Sequence, residues 1–327
     1  MSASSHRSPL HRGAFTIIEL LVVVAIISVL VGLLLPALAG VKRKAAKTSE
    51  LNSIKQIGHA WMLYGNNNND AALPGYLDAP VQAAPVQGVS RGWGVTYQYP
   101  DRTDIPNNPV NLPGPWTWRL LSYLDYNHEM VHGYRDEDNA DRFTMITEAQ
   151  AIAEEPGFGY NGYYIGGYWQ MQSVDGIQSP QFKFYDHCGV INHVRISIPT
   201  TIAQIKRSSE VITFCSSAKL DPNGGYYSSV KVRSDLPGAH LVAPPIVGTT
   251  PQWQPYPQDP LNAVEVLAAG AYVPLGRFTG PCAVLYADGH CDPQSVNALY
   301  DQRKWIDNAS GTNITEARFY KHDVCPP

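Results

Sequence analysis

Apolar side chains follow three regimes along this chain. From Phe15 to Leu35 they run almost without interruption, as FTIIELLVVVAIISVLVGLLL, and Glu19 is the single acid inside the run. At 1.5 Å per residue such a segment makes a helix about 31 Å long, enough to cross a hydrocarbon core of about 30 Å. From Leu38 the apolar positions recur every three or four residues: Leu38, Val41, Ala45, Leu51, Ile54, Ile57, Trp61 and Tyr64 share one face. Lys42, Lys47, Glu50, Asn52, Lys55, Gln56 and His59 fall on the others. This is the pattern of an amphipathic helix whose stripe leans on a sheet. Joined to the apolar run, it predicts one spine helix about 75 Å long. Pro36 removes a backbone bond from that helix and predicts a kink or a locally melted stretch. Gly65, followed by Asn66 to Asn69, supplies a left-handed stop.

Beyond the spine the pattern is short and broken. Leu73 to Pro115 is dominated by proline, glycine, glutamine and asparagine and reads as long loop. Trp116 to Tyr126 puts Trp118, Leu121 and Leu124 on one helical face. Gly157 to Gln172, GFGYNGYYIGGYWQMQ, reads as glycine-interrupted strand, Ser209 to Cys215 as an alternating strand, and Pro281 to Ala287 as a strand running into Asp288-Gly289. An Asp-Gly pair after such a run is a hairpin signal; a two-residue turn would set Tyr286 opposite Cys291 and make Cys282 and Cys291 poor disulfide partners. The predicted class is α+β: a long amino-terminal helix packed on an antiparallel β-sheet head with long loops.

Composition narrows the picture. A formal charge of −4 and a pI near 6.2 oppose a broadly basic surface, so no nucleic-acid partner is expected. With 26 prolines, 27 glycines and only 16% charged residues, the head reads as extracytoplasmic, loop-rich and β-rich rather than as a helical enzyme. The five cysteines, Cys188, Cys215, Cys282, Cys291 and Cys325, fit an oxidising compartment, and their odd number leaves at least one without an internal partner. Their connectivity is open.

Chemistry concentrates at the amino terminus. A carboxylate inside lipid needs a partner. Upstream lies a short leader with Arg7 and Arg12, ending in Gly13-Ala14. Cleavage after Ala14 would give Phe15 a new amino group about 6 Å along the axis from Glu19, so processing itself would create the cation. Three other readings are an ordinary signal anchor with Glu19 at the interface, a secretory signal peptide cut near Ala37-Leu38-Ala39, and a buried core helix. The second is opposed by the length of the apolar run, since signal peptides use about 7–15 apolar residues. The leader and the run Lys42, Arg43, Lys44 and Lys47 place positive charge on both sides, so charge alone leaves topology open.

Gly13-Ala14-Phe15-Thr16-Ile17-Ile18-Glu19 and the apolar run resemble the processing and methylation signal of type IV prepilins and type II secretion pseudopilins. The resemblance implies that a membrane aspartyl peptidase, the prepilin peptidase, cuts just before Phe15 and methylates the new amine. Ala14 stands where the family usually has glycine. Pro36 falls where the family has its helix-breaking proline. The organisation implied is a basic leader over residues 1–14, a pilin-like spine helix over 15–65 with 15–35 transmembrane before assembly, and a head over 66–327. GRFTGPCAVLYADGHCD also resembles the carboxy-terminal signature of a large group of prepilin-like proteins, a histidine, nine residues, then Asp-Gly. Phe278 replaces that histidine here.

The function implied is a structural filament subunit, of a type IV pilus-like fibre or a secretion pseudopilus, and not an enzyme. Glu19 of one subunit would pair with the Phe15 amine of a neighbour. Its implied partners are identical or homologous pilin subunits, the peptidase, the inner-membrane assembly machinery and, before assembly, membrane lipid. Its implied location is the inner membrane as precursor, then a periplasmic or extracellular filament. No cofactor is implied. The alternative from the binding class is a membrane-anchored adhesin or carbohydrate-binding protein, with Tyr164 and Trp169 stacking on sugar rings. Metal is weakly suggested by His187, Cys188 and His193, and calcium by Asp136, Asp138 and Asp141, although that stretch lacks a calcium-hand glycine and has Thr147 where the bidentate acid belongs. Asp186, His187 and Cys188 supply acid, base and nucleophile types, but neighbours in a strand point to opposite faces, so they make no local triad. Gly88-Val89-Ser90-Arg91-Gly92 and His128-Glu129-Met130-Val131-His132 have the bare spacings G-x-S-x-G and His-Glu-x-x-His, while no phosphate loop of the form G-x-x-x-x-G-K is present.

Overall fold

The computed structural model describes residues 16–78, 80–81, 114–132, 152–174, 177–182, 188–191, 194–219, 238–247, 250–255, 264–268, 272–278 and 280–309. The class is α+β, a long amino-terminal helix followed by mainly antiparallel sheets. The chain divides into two compact units that meet between Ala45 and Ala46.

Helix α1 runs unbroken over Ile17–Asn67 and contains Pro36, so no melted stretch is present there. The proline ring would crowd the carbonyl of the residue four earlier, and that residue is Gly32, where the backbone has most latitude. Through Val41 the large apolar side chains are exposed, Ile17 at 83% and Leu33 at 70%. From Ala46 the helix joins the core of the second unit through Ile54, Ile57, Ala60, Trp61 and Tyr64. Gly65 is helical and does not stop the helix. A Cβ there would lie 2.2 Å from Ile202 Cδ1, so this glycine permits close packing. The chain reverses afterwards, at Asn69 (φ 54°) and Asp70 (φ 65°).

The head is built on two main sheets. Strands β1 (Tyr76–Leu77), β3 (Tyr168–Val174) and β4 (Ile177–Phe182) form one, with β1 parallel to β3 inside the segment expected to be loop. The other centres on β5 (Ile212–Lys219), which pairs antiparallel with β2 (Phe158–Tyr160), β6 (Tyr272–Pro274) and β7 (Cys282–Tyr286). Strand β7 in turn pairs with β8 (Cys291–Gln294). Strand β5 therefore starts three residues later than its alternating pattern suggests and extends four further; Arg207 to Glu210 form a turn instead. Glycine-rich Gly157 to Gln172 is not one strand: it makes β2, turns through Gly166 (φ 70°) and Gly167 (φ 76°), and enters β3 in the other sheet.

The central sheet has a core on each face. Against α1 lie Phe214, Ala283 and Leu285, with Trp116, Trp118, Leu120, Leu121 and Leu124 from α2 (Thr117–Leu121) and the turn after it. On the other face Ile212, Cys215, Cys282, Val284 and Tyr286 meet Trp253, Trp305 and Leu299 of α4 (Val296–Leu299). α3, His128–His132, lies between α2 and α4 in the chain and contributes Val131 to the first core.

The Asp-Gly hairpin departs from the expected register by one residue. Leu285, not Tyr286, faces Cys291, and Tyr286 N–H donates to His290 O at 3.0 Å. The loop therefore holds three residues, with Gly289 left-handed at φ 89° and its N–H donating back to Tyr286 O. Cys282 faces Gln294, so Cys282 and Cys291 stay apart as expected.

Candidate assembly site

Thr16 opens α1, and three residues later Glu19 folds back on it. Thr16 N–H and Oγ1–H both donate to Glu19 Oε2, at 2.9 and 2.8 Å, and Glu19 N–H donates to Thr16 Oγ1 at 3.3 Å. This reciprocal pair is a capping box, and it satisfies orphan amides at a helix start that would otherwise face an apolar medium. The carboxylate also sits at the positive end of the helix dipole. Its own helix end thus supplies Glu19 with neutral hydrogen-bond donors, beside the cation expected from processing at Phe15. The signal was present in the sequence as Thr-x-x-Glu ahead of an apolar run. Gly13, Ala14 and Phe15 lie outside the described residues.

A second acid on α1, placed by periodicity among the solvated faces, is buried. Glu50 is 1% exposed. Ser216 Oγ–H donates to its Oε1 at 2.6 Å and Lys47 Nζ to its Oε2 at 2.7 Å. Lys47 also donates to Pro281 O at 2.7 Å, and Ala283 N–H donates to Ser216 Oγ at 3.0 Å. Glu50 thereby ties the helix to two strands of the central sheet. Its signal was the spacing 50, 54, 57, 61, 64, which continues the buried stripe one turn before Ile54.

The residues expected to stack on sugars do not form a site. Tyr164 is 1% exposed, packs in the second core and donates its hydroxyl to Ile246 O at 3.2 Å. It is unavailable to a ligand because its hydrophobic ring fills that core. Trp169 is half-buried, with its indole N–H donating to Gly166 O at 2.7 Å. Asp136, Asp138, Asp141, Thr147, Asp186, His187 and His193 lie outside the described residues, as does the side chain of Cys188. Among the described residues no three His, Cys, Asp or Glu side chains gather as a metal site would require. Phe278, at the place of the signature histidine, is half-buried beside Arg277, which is buried and donates to Ser217 O at 2.6 Å.

The family model of the prokaryotic N-terminal methylation motif matches residues 10–35. Neither a curated protein nor a solved structure matches the chain. The match covers the end of the leader, Phe15, the Thr16–Glu19 box and the apolar run, and its motif is that of structural, pilin-type precursors rather than of an enzyme family. With the long apolar helix that follows, the amino terminus is consistent with that of a type IV prepilin-like protein.

Proposed function

We propose that this chain is a structural subunit of a type IV pilus-like filament or of a type II secretion pseudopilus. The peptidase cuts between Ala14 and Phe15 and methylates Phe15. The processed chain waits in the inner membrane by α1 and then joins homologous subunits through the apolar half of that helix. The observation that carries this reading is the methylation motif leading directly into a helix whose first half leaves its apolar side chains exposed. A surface of that kind needs lipid before assembly and neighbouring helices after it.

Glu19 then has two successive partners. In the precursor the Thr16 box holds it; in the filament the Phe15 amine of a neighbour takes it, setting the register between subunits. Mass spectrometry of the native amino terminus tests the processing step. The expected product begins at a methylated Phe15, whereas a chain retaining Met1, or one starting at Gly40, rejects it. Processed chain recovered as dispersed monomer from the medium, with none in sheared filaments, rejects the assembly role.

A further inference from the structure

Two of the five cysteines meet inside the head. Cys215 lies on β5 and Cys282 on β7, and both are fully buried. Register places Cys215 opposite Val284, so Cys282, two residues along, projects from the same face of the sheet into the same core. Both are free thiols in the structure, and burial first, with Cys282 close by, holds the Cys215 thiol well above its ordinary pKa. Cys291 belongs elsewhere: it packs at the other core, against α1, and burial pushes its thiol up to about 11. Of the three cysteines whose side chains are described, only Cys215 and Cys282 face each other.

We propose that Cys215 and Cys282 are the head's internal disulfide, formed by a disulfide-bearing oxidant as the two strands come together. Diagonal neighbours in an antiparallel pair have Cα atoms about 7–8 Å apart, and a disulfide needs them within about 6.8 Å. The required approach is about 1 Å. At the intervening position the strands are joined through a side chain, the Ser216 hydroxyl accepting the Ala283 N–H.

The chemistry is thiol–disulfide exchange. One Cys thiolate attacks a sulfur of the oxidant and releases an oxidant thiolate; the second Cys thiolate then displaces the remaining oxidant sulfur and closes the protein's S–S bond. Two electrons pass to the oxidant, which leaves as two thiols carrying the two protons. Because both sulfurs are sealed in the finished core, the exchange precedes final packing, and the bond is afterwards shielded from small reductants. The proposal draws on the extracytoplasmic placement of the head only for its cellular oxidant.

The test uses the full chain in detergent micelles, unfolded in denaturant with reductant and refolded in a buffer of reduced and oxidised glutathione. Non-reducing peptide mapping is expected to find the peptide of Cys215 joined to that of Cys282. Both thiols alkylated as free, or either one joined to Cys188, Cys291 or Cys325, overturns the pairing. Cys215→Ala and Cys282→Ala are each expected to leave the other thiol free and to lower the Tm of the oxidised chain by about 10 °C, a difference that largely disappears in reductant. Should either variant fail to fold, the wild-type peptide map decides alone. This refolding does not depend on where the head resides: a bond formed in vitro beside free thiols in chain isolated from cells supports the pair and overturns the extracytoplasmic placement.

Discussion

Glu19 and Glu50 lie on one helix and resolve the same problem in opposite ways. Glu19 is met locally, by the amide and hydroxyl of Thr16 three residues away, in a segment whose apolar side chains face outward. Glu50 is met at long range, by Ser216 on a strand far along the sequence, with Lys47 completing the pair inside a core. A locally satisfied carboxylate can be handed to a new partner at small cost, because only one helix end reorganises. A carboxylate satisfied by tertiary contacts holds its helix in one register on one sheet. The contrast separates a part of α1 whose acid is satisfied within its own first turn from a part held to the central sheet.

The strongest way to break this comparison is Glu50→Ala. Removing it takes the carboxylate acceptor from the buried Ser216 hydroxyl and the anion from half-buried Lys47, and the loss is expected to be about 2–3 kcal/mol in head stability, read by chemical denaturation of the full chain in micelles. An effect under about 1 kcal/mol would place Glu50 among the solvated acids.

Acid should separate the two regions next. Burial lowers the pKa of His128 from 6.5 to about 4, and burial likewise lowers that of His240 to about 4 against the opposing hydrogen bond with the Glu154 carbonyl. The unfolded chain takes up these protons as pH falls through about 6.5, while the native head does not until about 4. Their stabilisation is therefore complete above 6.5, declines between 6.5 and 4 and levels off below, by about 3 kcal/mol per histidine. Near-ultraviolet circular dichroism should report loss of the head over this range while helix signal from the micelle-embedded run persists.

Gly65→Val is expected to cost about 1–3 kcal/mol, because the added methyls meet Ile202 at the helix–head contact. The smallest change sharpens the comparison at its other end. Glu19→Gln keeps an acceptor for the Thr16 capping box but loses the charge, so helix content and processing should be unchanged while filament yield falls about tenfold. Thr16→Val keeps the charge and loses the hydroxyl, and should leave yield within about twofold. If Thr16→Val is the more damaging of the two, capping rather than charge is what assembly requires.

The sequence shows these two regions unequally. The apolar run, the spine periodicity, the helix after Trp116 and β7 were legible because each depends on local spacing or propensity. Glu50 was misplaced because its burial depends on Ser216, and nothing in the heptad around it names that strand. Gly65 read as a stop because glycine after a helix usually is one; its reason for being glycine is the side chain of Ile202. The hairpin at Asp288-Gly289 was recognised but shifted by one residue, since Asp-Gly suits both the two-residue turn and the three-residue loop with a left-handed glycine. Tyr164 suits both sugar stacking and packing by its residue type, and its place in the second core is set by Trp253 and Trp305 from distant segments. The Thr16–Glu19 box was fully legible, and the interest of the membrane charge concealed it.

Asn161 shows what this long-range wiring asks of biosynthesis. Its amide donates to both Ile212 O and Trp305 O, and the helix is held across still longer separations, Lys47 reaching Pro281 O 234 residues on and Glu50 reaching Ser216 166 residues on. Closing such loops is slow and gains little until nearly the whole polypeptide is present. A nascent chain that ends before Trp305 still lacks one acceptor of the Asn161 amide and the indole that fills the second core.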